Sequence, residues 1–411
     1  MMTANRILDK LFLTSDAWWI KIIWNRWTRA ITLLIIRNLP IVKGRVLFFS
    51  RAGEHYSCNP RAIAEYISGN SKFISLFELY FGFIDPDKFP EVPKSIYKLR
   101  LTTLEYYYIF YTSQFLISNQ NWWIMDGKRT KQVYIQTMHG GHGIKKFGLD
   151  AELYSTPGKL HDAMLKDTAR TNLVLSDSHF FTNILRRSLL YKCPVLTEGL
   201  PRNDIFFSSK EKQNNIKRHF YDKYHLPFDS RTIIYAPTFR EPKSGQIDLS
   251  VYWFNPDRII SCLTKRFGGD WYILVSCHPF MRDYYRQIYD FSNNKVIDLG
   301  FLSDVQELLL SSNALITDYS SIEMDFSLTG RPIFQLARDW REYDRGTYLD
   351  LKTLPFPFAE NEQELCDNIL SFDEMKYSEQ LEFFNTKIIQ LKESGRASEK
   401  LVDWMINKIE S

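Results

Sequence analysis

Short apolar runs recur along the chain, and many of them end in polar or glycine-containing sequence: GRVLFFSRAG, KQVYIQTMHGG, TNLVLSDSH, CPVLTEGLPRND, RTIIYAPTFRE, DWYILVSCHPF, NALITDYSS and RPIFQL. Runs rich in Val, Ile, Leu and Tyr, separated by longer stretches with helical patterning, read as buried parallel strands alternating with helices. The pattern therefore predicts an α/β architecture. In such sheets ligands bind beyond the carboxyl ends of the strands, which is where the polar endings fall. The charged, strand-poor stretch from 208 to 230 separates two groups of strands, so the boundary is placed there: residues 43–215 form one domain, 216–411 another, each a doubly wound sheet, with a cleft between them.

At 411 residues the chain is long enough for two such cores, and its 45% apolar and 24% charged residues fit a folded protein without a low-complexity segment. Five scattered cysteines without CxxC spacing indicate neither a zinc site nor a disulfide framework. No metal site and no cofactor is expected. A net charge of +4, without interleaved basic and aromatic motifs, does not point to nucleic acid.

The first 42 residues differ from the rest, with Trp18, Trp19, Trp24 and Trp27 set among Lys21, Arg26, Arg29 and Arg37. The uncharged run from Ala30 to Ile36 is too short to span a bilayer, which takes about 20 residues. Asp9 and Asp16 also break the pattern of a signal peptide. Two readings stay open: an amphipathic helix lying in a membrane surface, or one covering its own domain.

The stretch ALITDYSSIEMDFSLTGRPIFQL, 314–336, places hydroxyls and carboxylates where a strand hands over to a helix. Ser320 followed by Glu323 matches a capping box, and Gly330 suits the left-handed residue that ends a helix two or three turns later. Ser320 and Ser321 are then phosphate ligands at a helix start, or Ser320 is a plain cap. Asp318 and Asp325 are poor ligands for a dianion and fall to hydrogen bonding and loop orientation. Two histidines stand just past other strands. His278, with Arg282 behind it, can donate to a phosphate oxygen or protonate a leaving group. His139, in QTMHGGHGIKKFG, projects from a glycine loop that can approach a ligand closely, and it suits a general base. Lys145 and Lys146 could support anion binding, and Arg202, Asp204, Thr238 and Arg240 lie at turns after further strands.

Together these pieces resemble the CDP-glycerol glycerophosphotransferase family, the teichoic-acid and capsule polymerases of bacteria. The resemblance rests on YSCNPRAIAEYI, QTMHGGHGIKKFG, SDSHFFTNILRR, GLPRND, YAPTFRE, CHP, ITDYSSIEMDFSLTGRPIFQ and DRGTYLD, which run in family order between about residues 45 and 370. It implies a GT-B fold of two Rossmann-like domains and a peripheral enzyme on the cytoplasmic face of the membrane. Its implied partners are a CDP-alditol donor, with glycerol phosphate transferred and CMP released, and a membrane-linked or capsular glycan acceptor. It further implies His139 as the acceptor-side base and His278, Ser320 and Ser321 as ligands of the donor pyrophosphate, with Thr317, Asp318, Thr238 and Arg282 nearby. His142, Lys145, Arg202 and Asp204 are then candidates for contacting acceptor or phosphate. The sequence departs from the family pattern at Met138, at Gly141-His142-Gly143-Ile144 and at Phe239-Arg240-Glu241, so His142 competes with His139 for the base.

Overall fold

The computed structural model describes residues 28–120, 127–141, 143–151, 157–240, 248–276, 281–291, 295–299, 302, 304–343 and 345–410. Two wholly parallel sheets organise them. The first has seven strands: β1 (Val42–Phe49), β2 (Glu78–Phe83), β3 (Ile96–Arg100), β4 (Ser113–Ser118), β5 (Val133–Gln136), β6 (Leu173–Ser176) and β7 (Val195–Thr197), in the order 3-2-1-4-5-6-7. The second has six: β8 (Arg231–Ala236), β9 (Trp271–Val275), β10 (Val296–Asp298), β11 (Ala314–Thr317), β12 (Ile333–Leu336) and β13 (Phe358–Ala359), in the order 10-9-8-11-12-13. Every pairing in both sheets is parallel.

Strands buried on both faces need continuous apolar runs, and β6, β11 and β12 are buried at every position. The order reverses between β1 and β4 in the first sheet and between β8 and β11 in the second. Each reversal opens a crevice at the carboxyl ends of its strands. The eight runs read from sequence all contain strands. Five others were not read from sequence: β2 and β3, β4, which follows the Leu104–Thr112 helix without a breaker, and β10 and β13, which are only three and two residues long.

Helices cover both sheets, and several carry the caps that fix their starts. Ser178 accepts from Phe181 N, Thr103 from Tyr106 N, and Asn361 from Glu364 N. The helix Lys210–Lys223 links the two sheets. A division at 215/216 falls inside it, and its buried Phe220 and Tyr221 belong to the second core. The last helix, Ala397–Glu410, crosses back, seating Leu401, Val402 and Met405 in the core of the first sheet with Ile63 and Phe115. The expected second domain therefore lacks its final helix, because the apolar stripe that binds this helix is complementary to the other lobe.

Of the distinctive amino-terminal stretch, residues 1–27 lie outside the described residues. The helix Thr28–Arg37 that follows seals Ile36 completely against the first lobe, while Ile31, Leu34 and Ile35 are exposed. Among the described residues no helix is long and apolar enough to cross a membrane.

Candidate active site

The crevice of the first lobe carries His139 on the loop after β5. Its Nδ1 lies 3.0 Å from the carbonyl of Asn119, at the end of β4, so Nδ1 carries the proton and Nε2 keeps its lone pair. The residue is solvent-exposed by surface area, although the protein packed around the ring still desolvates it. That enclosure lowers its pKa below the ordinary 6.5; the Asn119 carbonyl opposes the shift, and Arg202, Arg51 and Lys145 add to it. The imidazole is therefore neutral at neutral pH, the form a general base requires.

The loop around it is tightly specified. Met138 has a φ of 57°, an uncommon value for a residue with a side chain. Asn59 holds this conformation by donating from Nδ2 to the carbonyls of Thr137 and Met138, both at 2.9 Å. The sequence reading quoted Asn59 within a motif but gave it no role, and only the fold brings it to a loop 78 residues away.

The glycines of this loop do make a close approach, chiefly to other parts of the protein. A Cβ at Gly140 would stand 3.1 Å from Ser321 Oγ, one at Gly143 3.2 Å from Ser321 Cβ, and one at Gly141 1.7 Å from Asp177 Oδ2. The His139 loop thus rests on Ser321 of the opposite lobe. Just beyond it the backbones of the two lobes pair: Tyr348 N donates to Ile144 O at 2.7 Å and Lys146 N to Gly346 O at 3.1 Å. An antiparallel bridge joins Lys145 to Thr347.

Across the cleft the loop after β11 carries Asp318, Tyr319, Ser320 and Ser321. Asp318 is almost fully buried and accepts from Thr238 N through both oxygens (2.8 and 3.0 Å), from Tyr319 N (2.6 Å) and from Arg240. Arg240 also forks onto Asp339, at 3.0 and 2.8 Å, and lies between the rings of Tyr252 and Tyr319. Asp318 accordingly braces the loop. The Thr317 hydroxyl is occupied by the Ala236 carbonyl at 2.7 Å, which takes it out of the ligand set. Thr238 Oγ1, by contrast, is buried with no partner, at the end of the strand beside β11.

The expected capping box does not close. The helix is Ile322–Ser327, under two turns, and Ser321 makes no side-chain cap bond. Ser320 Oγ reaches Ile322 N only at 3.5 Å. Glu323 turns inward, fully buried, and accepts from Gln335 Nε2 at 2.9 Å, so burial pushes its carboxyl well above the ordinary range. Gly330 does take a left-handed φ of 69° after the helix. With so short a helix the two hydroxyls, rather than a macrodipole, are what this terminus offers an anion. Lys145 approaches from the other lobe, facing Asp318 and Glu323; burial lowers its pKa against their pull.

Two candidates are engaged elsewhere. Arg202 is 7% exposed and pairs with Asp325 at 2.6 Å, so it is not presented to a phosphate. Asp204 caps the last helix, accepting from Ala397 N and Ser398 N at 2.9 Å each. His278 and His142 lie outside the described residues, and of Arg282 only the backbone, which starts the helix Arg282–Ile288, is described. Among the described residues no group of three or more His, Cys, Asp or Glu could hold a metal ion.

Comparison with known proteins gives a consistent result. The sequence profile of one family, described as CDP-Glycerol:Poly(glycerophosphate) glycerophosphotransferase, matches residues 31–407. The chain is 29% identical over 374 residues to the teichoic acid poly(glycerol phosphate) polymerase of Staphylococcus epidermidis, covering 87% of this chain and 50% of that protein. It therefore spans about half the length of that relative. It is also 29% identical over 382 residues to the teichoic acid glycerol-phosphate transferase of Staphylococcus aureus, covering 90% of this chain and 94% of that one. Among solved structures, the wall teichoic acid polymerase TagF superposes with a TM-score of 0.78 at 27% identity, covering 95% of each chain.

Proposed function

Since the chain belongs to the CDP-glycerol:poly(glycerophosphate) glycerophosphotransferase family, we propose that it transfers glycerol phosphate from CDP-glycerol to a hydroxyl of a membrane-linked or capsular glycan in polymer synthesis of the teichoic-acid type. His139 Nε2 takes the proton of the acceptor hydroxyl. The freed oxygen attacks the β-phosphorus, which bears the glycerol, the bond from that phosphorus to the bridging oxygen breaks, and CMP leaves with the electron pair.

Charge grows on the phosphate oxygens as that bond opens. Ser320, Ser321 and Thr238 supply hydroxyl donors to it, and Lys145 supplies a cation from the acceptor lobe. His278 keeps the role of pyrophosphate ligand that the family resemblance implies, with Arg282 nearby. The enzyme works at the cytoplasmic face of the membrane, where the lipid-linked acceptor is presented.

The observation that carries this reading is the meeting of the two loops. A neutral imidazole with a free Nε2 sits on a loop whose glycines rest on Ser321, so base and phosphate donors share one cleft. The test is a donor panel of CDP-glycerol, CDP-ribitol and a UDP-sugar, with a membrane glycan primer and mass analysis of product. CMP release with a phosphodiester-linked glycerol is the expected outcome. A ribitol adduct would reassign the alditol, and a bare sugar adduct or no acceptor-dependent CMP would overturn the reading.

A further inference from the structure

Arg202 was a candidate ligand, yet its surroundings describe a different task. Its Nη2 donates to Asp325 Oδ2 at 2.6 Å, and its Nη1 donates to the backbone carbonyl of His139 at 2.5 Å. Its own amide donates to Asn59 Oδ1 at 3.0 Å, the same Asn59 that holds the carbonyls of Thr137 and Met138. Three consecutive carbonyls, 137 to 139, are thereby fixed by two interlocked side chains. Asp325 lies in the helix that follows Ser320 and Ser321, and it is tied down further by Asn203 Nδ2 at 3.1 Å and Gln306 Nε2 at 3.3 Å.

We propose that Arg202 is a positioning residue for His139: its fork joins the backbone of the imidazole-bearing loop to the helix after Ser320 and Ser321, setting base and donor site in register across the cleft. This rests on the reading of His139 as the base. A planar guanidinium suits the task because two of its nitrogens bind separate acceptors in a fixed relation, which a lysine ammonium does not reproduce. Misplacing a reacting group by about 1 Å costs on the order of a hundredfold in rate, so a buried tie of this kind acts on turnover.

Arg202 also places a positive charge beside the imidazole, together with Arg51 and Lys145, and all three favour its neutral form. Removing the charge raises the His139 pKa toward its ordinary value. Because the base works deprotonated, the acid limb of kcat/KM then moves to higher pH.

The experiment compares Arg202→Met, Arg202→Lys and the double variant Arg202→Met/Asp325→Asn in CMP release from CDP-glycerol with a glycan primer, alongside NMR titration of the His139 ring in the full chain. Arg202→Met is expected to lower kcat at least about tenfold with the KM for CDP-glycerol little changed. Its acid limb and its ring titration should both move upward. Arg202→Lys keeps the charge, so limb and titration stay near wild type while kcat recovers only in part. The double variant leaves no stranded carboxylate and carries the test if Arg202→Met does not fold.

A raised donor KM at unchanged kcat would make Arg202 a donor ligand and end the proposal, as would wild-type kcat with an unmoved His139 titration. Full activity of His139→Ala would instead sink the reading of the base, while the ring titration of the Arg202 variants still reports whether the two residues are coupled.

Discussion

The loop after β5 and the loop after β11 face each other across the cleft and are stabilised in opposite ways. The donor-side loop is braced within its own lobe: Asp318, Arg240, Asp339, Tyr319 and Thr238 form a closed network, with Tyr319 stacked on Tyr343 at 3.7 Å. The loop after β5, the proposed acceptor side, is held from both lobes. Its carbonyls are held by Asn59 and Arg202, its glycines lie on Ser321, and the segment 144–146 that leaves it pairs with residues 346 to 348 of the other lobe. One side is braced wholly within its own lobe, whereas the other, its carbonyls held by Asn59 and Arg202 of its own lobe, leans in addition on Ser321 and residues 346 to 348 of the opposite lobe. Substitutions on the donor side should therefore register in stability and donor affinity, and those on the acceptor side in turnover.

The sharpest way to break that contrast is His139→Ala. Loss of a positioned general base lowers turnover by about 10²–10⁴-fold, and the KM for CDP-glycerol should stay within a few-fold if, as proposed, the imidazole serves the acceptor. Steady-state CMP release measures both. In the wild type, kcat/KM should fall as pH drops through the His139 pKa, which lies below 6.5, and stay level above it. Near-normal turnover of the variant would leave the acceptor-side loop with no chemical role.

Next in size is Arg240→Ala. It strands Asp318 and Asp339 inside the second lobe, where Asp318 is 1% exposed. Breaking a buried pair of this kind costs about 3–5 kcal/mol. Denaturant unfolding should show the loss. A change under about 1 kcal/mol would mean that the donor-side network is not what holds that loop.

How much of this was legible in the sequence follows from which interactions are local. The strands ending at Phe49, Gln136, Ser176, Ala236 and Thr317 announce themselves as apolar runs that give way to polar or glycine-containing sequence, so the α/β plan and the placement of the site past strand ends could be read directly. Ser320–Glu323 shows the limit: the spacing fits a capping box, but Glu323 is drawn to Gln335 on β12, a competition that local spacing does not record. Arg202–Asp325 and Arg240–Asp339 span 123 and 99 residues; the motifs hold Arg202, Asp325 and Arg240 without pairing them, and Asp339 lies in none of the motifs. The crossing of Ala397–Glu410 to the first lobe was hidden for the same reason: its apolar stripe shows that it packs, not where.

Ser321→Ala should act between these extremes. Its hydroxyl caps nothing, so thermal stability stays unchanged. Loss of a hydrogen bond to a charged phosphate costs about 1.5–3 kcal/mol, which is roughly 10–150-fold in kcat/KM for CDP-glycerol. Thr317→Val provides the control, because its hydroxyl serves the Ala236 carbonyl and its loss should leave donor kinetics intact. If Thr317→Val weakened donor binding as much as Ser321→Ala, the division between bracing and binding residues on this side would fail.

The mildest expected effect tests the seam itself. Tyr348 accepts from Phe147 N at 3.3 Å and donates to Phe147 O at 3.2 Å, fastening the second lobe to the segment that leaves the His139 loop. Tyr348→Phe keeps the ring against Phe147 and Phe180 and removes only the hydroxyl, a loss of about 0.5–1.5 kcal/mol. Because the backbone bond from Tyr348 N to Ile144 O survives, the lobes should stay joined. The signature of an acceptor loop held from both lobes is then a small fall in kcat at unchanged donor KM. The same loss of stability with kcat intact would show that the loop keeps its shape without the seam, and the contrast between the two sides would narrow to the Arg202 tie alone.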